Sequence, residues 1–285
     1  MKRMRRLKMG LSTLLGLRPQ GFFIPYRYAA TLPPPGQRAA YQAVTERFDA
    51  QASEFDAWLD RMEGFGEALA AIGGEPPPAP RWNQDWFPGL DAAIAYTIVR
   101  RLRPNRIVEV GSGHSTRFMS RAIADARAAE APYWRPAFTA VDPQPRASIE
   151  ALDLTLMRTT VDKAPREIFR LLEPGDVLFL DSSHILVPGS DVDMLLNRVL
   201  PTLPPGVLVH VHDIFLPDDY PADWAWRGYN EQLALIPLLT FAGFRPLFAS
   251  HHVRNSRAPR IAAGPLGTLP WHDARESSLW MVREG

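Results

Sequence analysis

The sequence predicts an α/β fold, a mostly parallel sheet covered by helices on both faces and preceded by a helical segment. Three observations carry this expectation. From Leu90 onward, helical apolar periodicity alternates with short β-branched runs, the pattern of successive strand–helix units. The apolar run Arg106-Ile107-Val108-Glu109-Val110 ends in Gly111-Ser112-Gly113, a tight turn that opens a helix. Proline clusters at 33–35 and 76–80 cannot continue helices, and they punctuate the first third of the chain.

The elements follow in order. Residues 1–88 read as a helical cap on the substrate side, and 89–285 as the α/β domain. The opening stretch Met1-Lys2-Arg3-Met4-Arg5-Arg6-Leu7-Lys8 is basic and runs into the apolar Met9 to Leu17. That loosely imitates a signal peptide, but the run is short and no A-x-A-like site follows. A packed or surface helix is expected, with membrane-surface binding and export as alternatives. Between the proline clusters, Tyr41, Val44, Phe48, Phe55, Trp58, Leu59 and Met62 recur at helical steps, predicting one or two amphipathic helices over 38–72. Helices are then expected at 90–102, 115–129, 163–172, 191–200 and 229–239. Strands are expected at 106–110, 138–141, 154–161, 176–180, 207–211, 244–249 and 278–282. The Arg-, Pro- and Gly-rich piece 251–276 reads as a loop or flap.

Composition narrows the function classes. A net charge of +1 provides no basic field for gripping phosphates, which excludes nucleic acid as the main partner and favours a small-molecule acceptor. With no cysteine there is no disulfide, thiolate ligand or catalytic thiol, so a metal would rest on His, Asp, Glu or carbonyl oxygen. No segment approaches the roughly 18 continuous apolar residues of a spanning helix. A cytoplasmic protein without stable membrane insertion is expected, and a homo-oligomer is compatible with this reading.

The Gly111–Gly113 turn lets a ligand approach the backbone at a helix N-terminus. Thr116 stands where a dinucleotide fingerprint would carry its third glycine, which weakens a pyrophosphate reading. One strand–helix unit later, Asp142 ends a strand where a carboxylate can accept both hydroxyls of a ribose, although helix capping would explain an acid there too. Asp162 falls where such folds line an adenine, or else caps the helix expected after it. At the carboxyl ends of the later strands, Asp181 and the pair His212-Asp213 should face the same crevice, with His184 three residues beyond Asp181. Imidazole titrates near neutrality and can take a proton from a hydroxyl. His210 reads as a buried structural histidine, and Ser190, Asp191 and Asp193 as helix-start residues. Aromatic clusters at 22–28, 81–87 and 218–227 either line an acceptor pocket or pack the cap.

Glu109-Val110-Gly111-Ser112-Gly113 followed by Asp142 resembles motifs I and II of class I S-adenosylmethionine (SAM)-dependent methyltransferases. The segments 175–184 and 206–215 are similar to the fourth and fifth strands of a bacterial family related to metal-dependent sugar and natural-product O-methyltransferases. The resemblance covers roughly residues 90–250. It implies a Rossmann-like, seven-stranded, mostly parallel sheet with an antiparallel last strand. It also implies SAM as cofactor, bound through Glu109, Gly111, Ser112, Gly113, Ser115, Asp142, Asp162 and Asp181. A divalent metal (Mg, Mn, Fe or Zn) would sit on Asp181, His212 and Asp213, where His212 replaces a more usual acid. His184, with Asp181, would be catalytic, removing the hydroxyl proton of a sugar, polyketide-like or phenolic acceptor. Two other readings remain at this stage: a metal-dependent oxygenase or hydrolase on the same fold, and a non-catalytic nucleotide-binding module.

Overall fold

A computed structural model describes residues 2–241 and 243–285; Met1, which opens the expected basic stretch, and Ala242 lie outside the described residues. The strands are β1 (Arg106–Val110), β2 (Ala137–Val141), β3 (Thr155–Met157), β4 (Val177–Leu180), β5 (Leu208–Val211), β6 (Phe244–Ala249) and β7 (Leu279–Arg283). They form one sheet in the order β3-β2-β1-β4-β5-β7-β6. The pairs from β3 through β5 are parallel, and β7 runs antiparallel between β5 and β6. This is the seven-stranded, Rossmann-like sheet with a reversed last strand that the sequence predicts. Strands β4 and β5 are buried throughout, as continuous apolar runs covered on both faces should be.

The α-helices are α1 (Lys2–Leu14), α2 (Gln42–Asp49), α3 (Ala52–Glu63), α4 (Gly66–Ala70), α5 (Gly89–Leu102), α6 (His114–Ala129), α7 (Glu167–Arg170), α8 (Asp191–Met194), α9 (Glu231–Thr240), α10 (Ser250–Ser256) and α11 (Ala258–Ala263). Three expectations change. The helix expected at 163–172 contracts to α7, because Pro165 disfavours helical backbone at the residue before it. Strand β3 keeps only three residues at the sheet edge, in line with its modest apolar content. The expected loop 251–276 instead contains α10 and α11. Pro259 occupies the first turn of α11, where a missing N–H costs nothing, so it marks a helix start rather than a break. Arg257 and Arg260 anchor this segment by pairing with Asp56 of α3, each at 3.0 Å.

The chain divides into two compact units. One comprises Met1–Ala39 with Asp219–Gly228, and within it Arg38 pairs with Asp219 at 2.8 Å. The other comprises Ala40–Asp218 with Tyr229–Gly285 and contains the whole sheet. Within this unit the Phe55 ring of α3 meets Phe248 of β6 edge-on at 6.1 Å.

Register then positions the site. Val110 pairs with both Val141 and Leu180, and Leu180 pairs with Val211. The residues one step further, Gly111, Asp142, Asp181 and His212, therefore stand side by side along the carboxyl edge of four neighbouring strands. Strand β1 has β2 on one side and β4 on the other, so the chain's winding reverses here, and that switch point is where open α/β sheets form a ligand crevice.

Candidate active site

At the switch point the Gly111 backbone has φ +81°, a left-handed conformation that disfavours side chains. A Cβ on Gly111 would lie 1.8 Å from the Asp181 carbonyl oxygen, so only glycine lets the β1 turn cross the end of β4. A Cβ on Gly113 would meet nothing within 4 Å, so the hollow beside it is open. Asp142, half-buried, turns toward this loop: the Ser112 backbone N–H and hydroxyl both donate to its Oδ2 at 2.8 Å, and the Gln144 N–H donates to Oδ1 at 2.7 Å. Beneath the loop, Glu109 is fully buried and accepts from the Ser115 hydroxyl at 2.5 Å and the Thr116 hydroxyl at 2.7 Å. Thr116 Oγ1 in turn accepts from the Gly113 N–H at 2.8 Å. Where a third glycine is absent, a threonine hydroxyl thus ties the turn to the strand. Burial pushes the Glu109 carboxyl up to about 8, against the opposing pull of the two hydroxyl donors.

Beside this loop lies a cluster of imidazoles and carboxylates. His184 sits in a loop after β4 with φ +60°, and its Nδ1 lies 2.9 Å from Glu231 Oε2 at the start of α9. Its Nε2 faces Asp181 Oδ1 at 3.3 Å and Asp213 Oδ2 at 3.4 Å. His212 Nδ1 lies 3.6 Å from Oδ1 of both Asp181 and Asp213, and its Nε2 lies 3.5 Å from Asp91 Oδ2 of α5. Asp91 also accepts from the backbone N–H groups of Ser277 at 2.9 Å and Ser278 at 2.8 Å, joining α5 to the entry of β7. The Tyr229 ring packs on His184 at 4.6 Å. Burial by itself would lower the pKa of both histidines. The carboxylates outweigh it, Asp181, Glu231 and Asp213 around His184 and Asp181, Asp213 and Asp91 around His212, and hold both well above the ordinary histidine value. For Asp181 burial opposes ionisation, yet His212 and His184 keep it below the usual carboxylate range. Burial raises Glu231, an effect its pairing with His184 reduces.

The structure lends no support to the divalent metal that the resemblance implies. Among the described residues, no group of three or more His, Asp or Glu side chains is disposed to hold a metal ion. Asp181, His212 and Asp213 do come together, with the two carboxylates facing the imidazoles at 3.3–3.6 Å.

Residues 108–214 match a family model described as a methyltransferase domain, a span that begins in β1 and ends just beyond Asp213. This segment is similar to a methyltransferase domain. Among solved structures, the chain is similar to an SAH-bound methyltransferase of Podospora anserina at 14% identity, covering 93% of this chain and 100% of that one, with a TM-score of 0.37. It is also similar to a methyltransferase candidate from Thermobifida fusca at 12% identity, covering 70% of this chain and 83% of that one, with a TM-score of 0.31. No curated protein matches the chain.

The matched segment brings together Gly111, Ser112, Gly113, Asp142 and Asp181 at one edge, with His184, His212 and Asp213 beside them. Glu109 and Ser115 lie under the loop, bonded to each other rather than turned into the hollow. Asp162 is exposed in a turn before α7, where hydrogen bonding from Thr160 lowers its pKa. His210 is buried, with Nε2 2.8 Å from the Ser278 hydroxyl and its ring stacked on Phe179 at 3.7 Å. Ser190 caps α8, its hydroxyl accepting the Asp193 N–H at 3.1 Å. Of the aromatic cluster at 81–87, Trp82 and Phe87 are core, Phe87 lying 5.5 Å from the His212 ring, while Trp86 is exposed under Arg146. Sequence reasoning missed Asp91 and Glu231. The available signal was an acid in the first turn of each helix, which dipole stabilisation explains equally well.

Proposed function

We propose that this protein transfers the methyl group of SAM to a hydroxyl of a small metabolite of the sugar, polyketide-like or phenolic kind. One observation carries the reading: the open hollow at Gly113 and the imidazole–carboxylate cluster share Asp181, whose backbone abuts Gly111 and whose side chain faces both imidazoles. Asp142 retains acceptor capacity toward a ribose, and the glycine turn leaves room for a nucleoside. When bound, SAM supplies a sulfonium-activated methyl group. The chain's own task is then to orient the acceptor hydroxyl and take its proton. We assign this to the unprotonated form of His184, whose Nδ1 is held by Glu231 and whose Nε2 faces Asp181 and Asp213. Asp181 and Asp213 stabilise the imidazolium that results.

Calorimetry with SAM tests the reading without knowledge of the acceptor. Saturable binding at one site is expected, weakened roughly tenfold or more by Asp142→Ala, which removes a charge-assisted pair of acceptors. Absence of binding by folded protein would end the proposal. Dialysis against a chelator is expected to leave SAM binding unchanged.

A further inference from the structure

The helix α1 is built inside out for a soluble fold. Met4, Leu7, Leu11 and Leu14 recur at three- and four-residue steps, which places them on one helical face. That stripe is the side turned to solvent: Met4 is 74%, Leu7 62%, Leu11 48% and Leu14 63% exposed. Among the described side chains of the same helix, the half-buried ones are Met9, Ser12 and Thr13, two of the three polar. The helix ends by folding back, with the Gln20 N–H donating to Thr13 Oγ1 at 2.9 Å, and the chain then presents Phe22 and Phe23, each 69% exposed. Scattered apolar residues on a surface need no explanation, whereas a periodic stripe continued by adjacent aromatics marks an interaction face.

Charge identifies the partner. The chain carries eight Lys and Arg residues before its first acid, Glu46, five of them within Lys2–Lys8. Its net charge is only +1, so the remainder is net acidic and the net positive charge lies in this segment. An apolar stripe flanked by lysines and arginines, next to exposed aromatics, has the composition of a helix that lies in a lipid interface. A second copy of this chain would bring the same positive segment against itself, which repulsion opposes. A spanning role is not at issue, since among the described residues no helix is long and apolar enough to cross a membrane.

We infer that α1 and the Phe22-Phe23 turn form a peripheral docking surface for an anionic lipid bilayer, with the stripe Met4, Leu7, Leu11 and Leu14 seated among the acyl chains and the flanking basic residues on the headgroups.

Co-sedimentation of the full chain with vesicles tests this, using phosphatidylcholine alone and phosphatidylcholine mixed with phosphatidylglycerol. Binding to the mixed vesicles is expected to exceed that to neutral ones by roughly tenfold or more and to weaken as salt is raised. Leu7→Glu/Leu11→Glu should abolish binding by removing the apolar anchor. Arg5→Glu/Lys8→Glu should reduce it while leaving the stripe intact. Both variants should keep the SAM affinity of the parent, which shows that the sheet unit is folded. Equal recovery with anionic, neutral and no vesicles, or unchanged binding by both variants, would overturn the inference. So would self-association in sedimentation equilibrium that Leu7→Glu/Leu11→Glu disperses, because the stripe would then be an interface between copies.

Discussion

The glycine-loop side of the site and the imidazole–carboxylate side lie at one sheet edge, yet they are built by opposite means. The loop side comes from one stretch, residues 109–116, plus Asp142, and its bonds run between backbone, hydroxyls and carboxyls, with no cation in contact. The other side gathers Asp91, Asp181, His184, His212, Asp213 and Glu231 from α5, the ends of β4 and β5, and α9, and it is ionic throughout. The first is a steric device, in which small residues keep a hollow open. The second is an electrostatic one, in which each charge depends on its neighbours, so removing one partner strands the others.

The largest expected effect breaks the steric half. Gly111→Ala places a methyl group against the Asp181 carbonyl at a positive φ and should cost about 4 kcal/mol in denaturant unfolding while abolishing SAM binding. Gly113→Ala adds the same methyl where nothing lies within 4 Å. It should leave stability within about 0.5 kcal/mol and still weaken SAM binding. If both variants unfold alike, the hollow at Gly113 is not open and the steric account is wrong.

Next comes the electrostatic half. His184→Ala should lower methyl transfer by roughly 10²–10⁴-fold with SAM affinity nearly unchanged, as for loss of a general base. The carboxylates around His184 hold its proton tightly, so the base form, and with it the rate, should be lost as pH falls through a value above that of free histidine. Glu231→Gln removes one of those charges and should move this fall toward lower pH, read from rate–pH profiles. An unmoved profile would mean that the hydroxyl proton goes elsewhere.

The same contrast explains what was legible in the sequence. The loop side is local, so strand, glycines and Asp142 announce themselves by order and spacing, and the sheet follows from the alternation around them. The ionic side is assembled through the fold. Asp181, His184, His212 and Asp213 could be placed because strand ends converge. Asp91 and Glu231 reach the site from helix starts more than 40 residues away from their partners, at positions where an acid is ordinary. The metal expectation gains no support for a related reason: sequence names potential ligands, but whether they are disposed around one ion depends on the fold. Pro259 misled because the same residue ends one helix and begins another.

The smallest expected effect concerns Glu109, which is charged in name but belongs to the neutral half. Its carboxyl, near 4.5 when free, is raised to about 8 in the fold, so the folded protein holds a proton that the unfolded chain releases between those values. The stability this proton contributes is full below 4.5 and is lost as pH rises through about 8. Melting temperature should therefore decline between about pH 5 and pH 8 in the parent, and Glu109→Gln should flatten that decline. The amide keeps the acceptor and donor of the protonated carboxyl, whose proton already obliges one of the two hydroxyls to accept. Thr116 is constrained by accepting the Gly113 N–H, which leaves Ser115 to turn. Near neutral pH the variant should thus lose only about 1 kcal/mol, the worth of one rearranged hydrogen bond. A variant that keeps the parent's full pH dependence would show that Glu109 is ionised in the fold, and the loop side would then be as electrostatic as its neighbour.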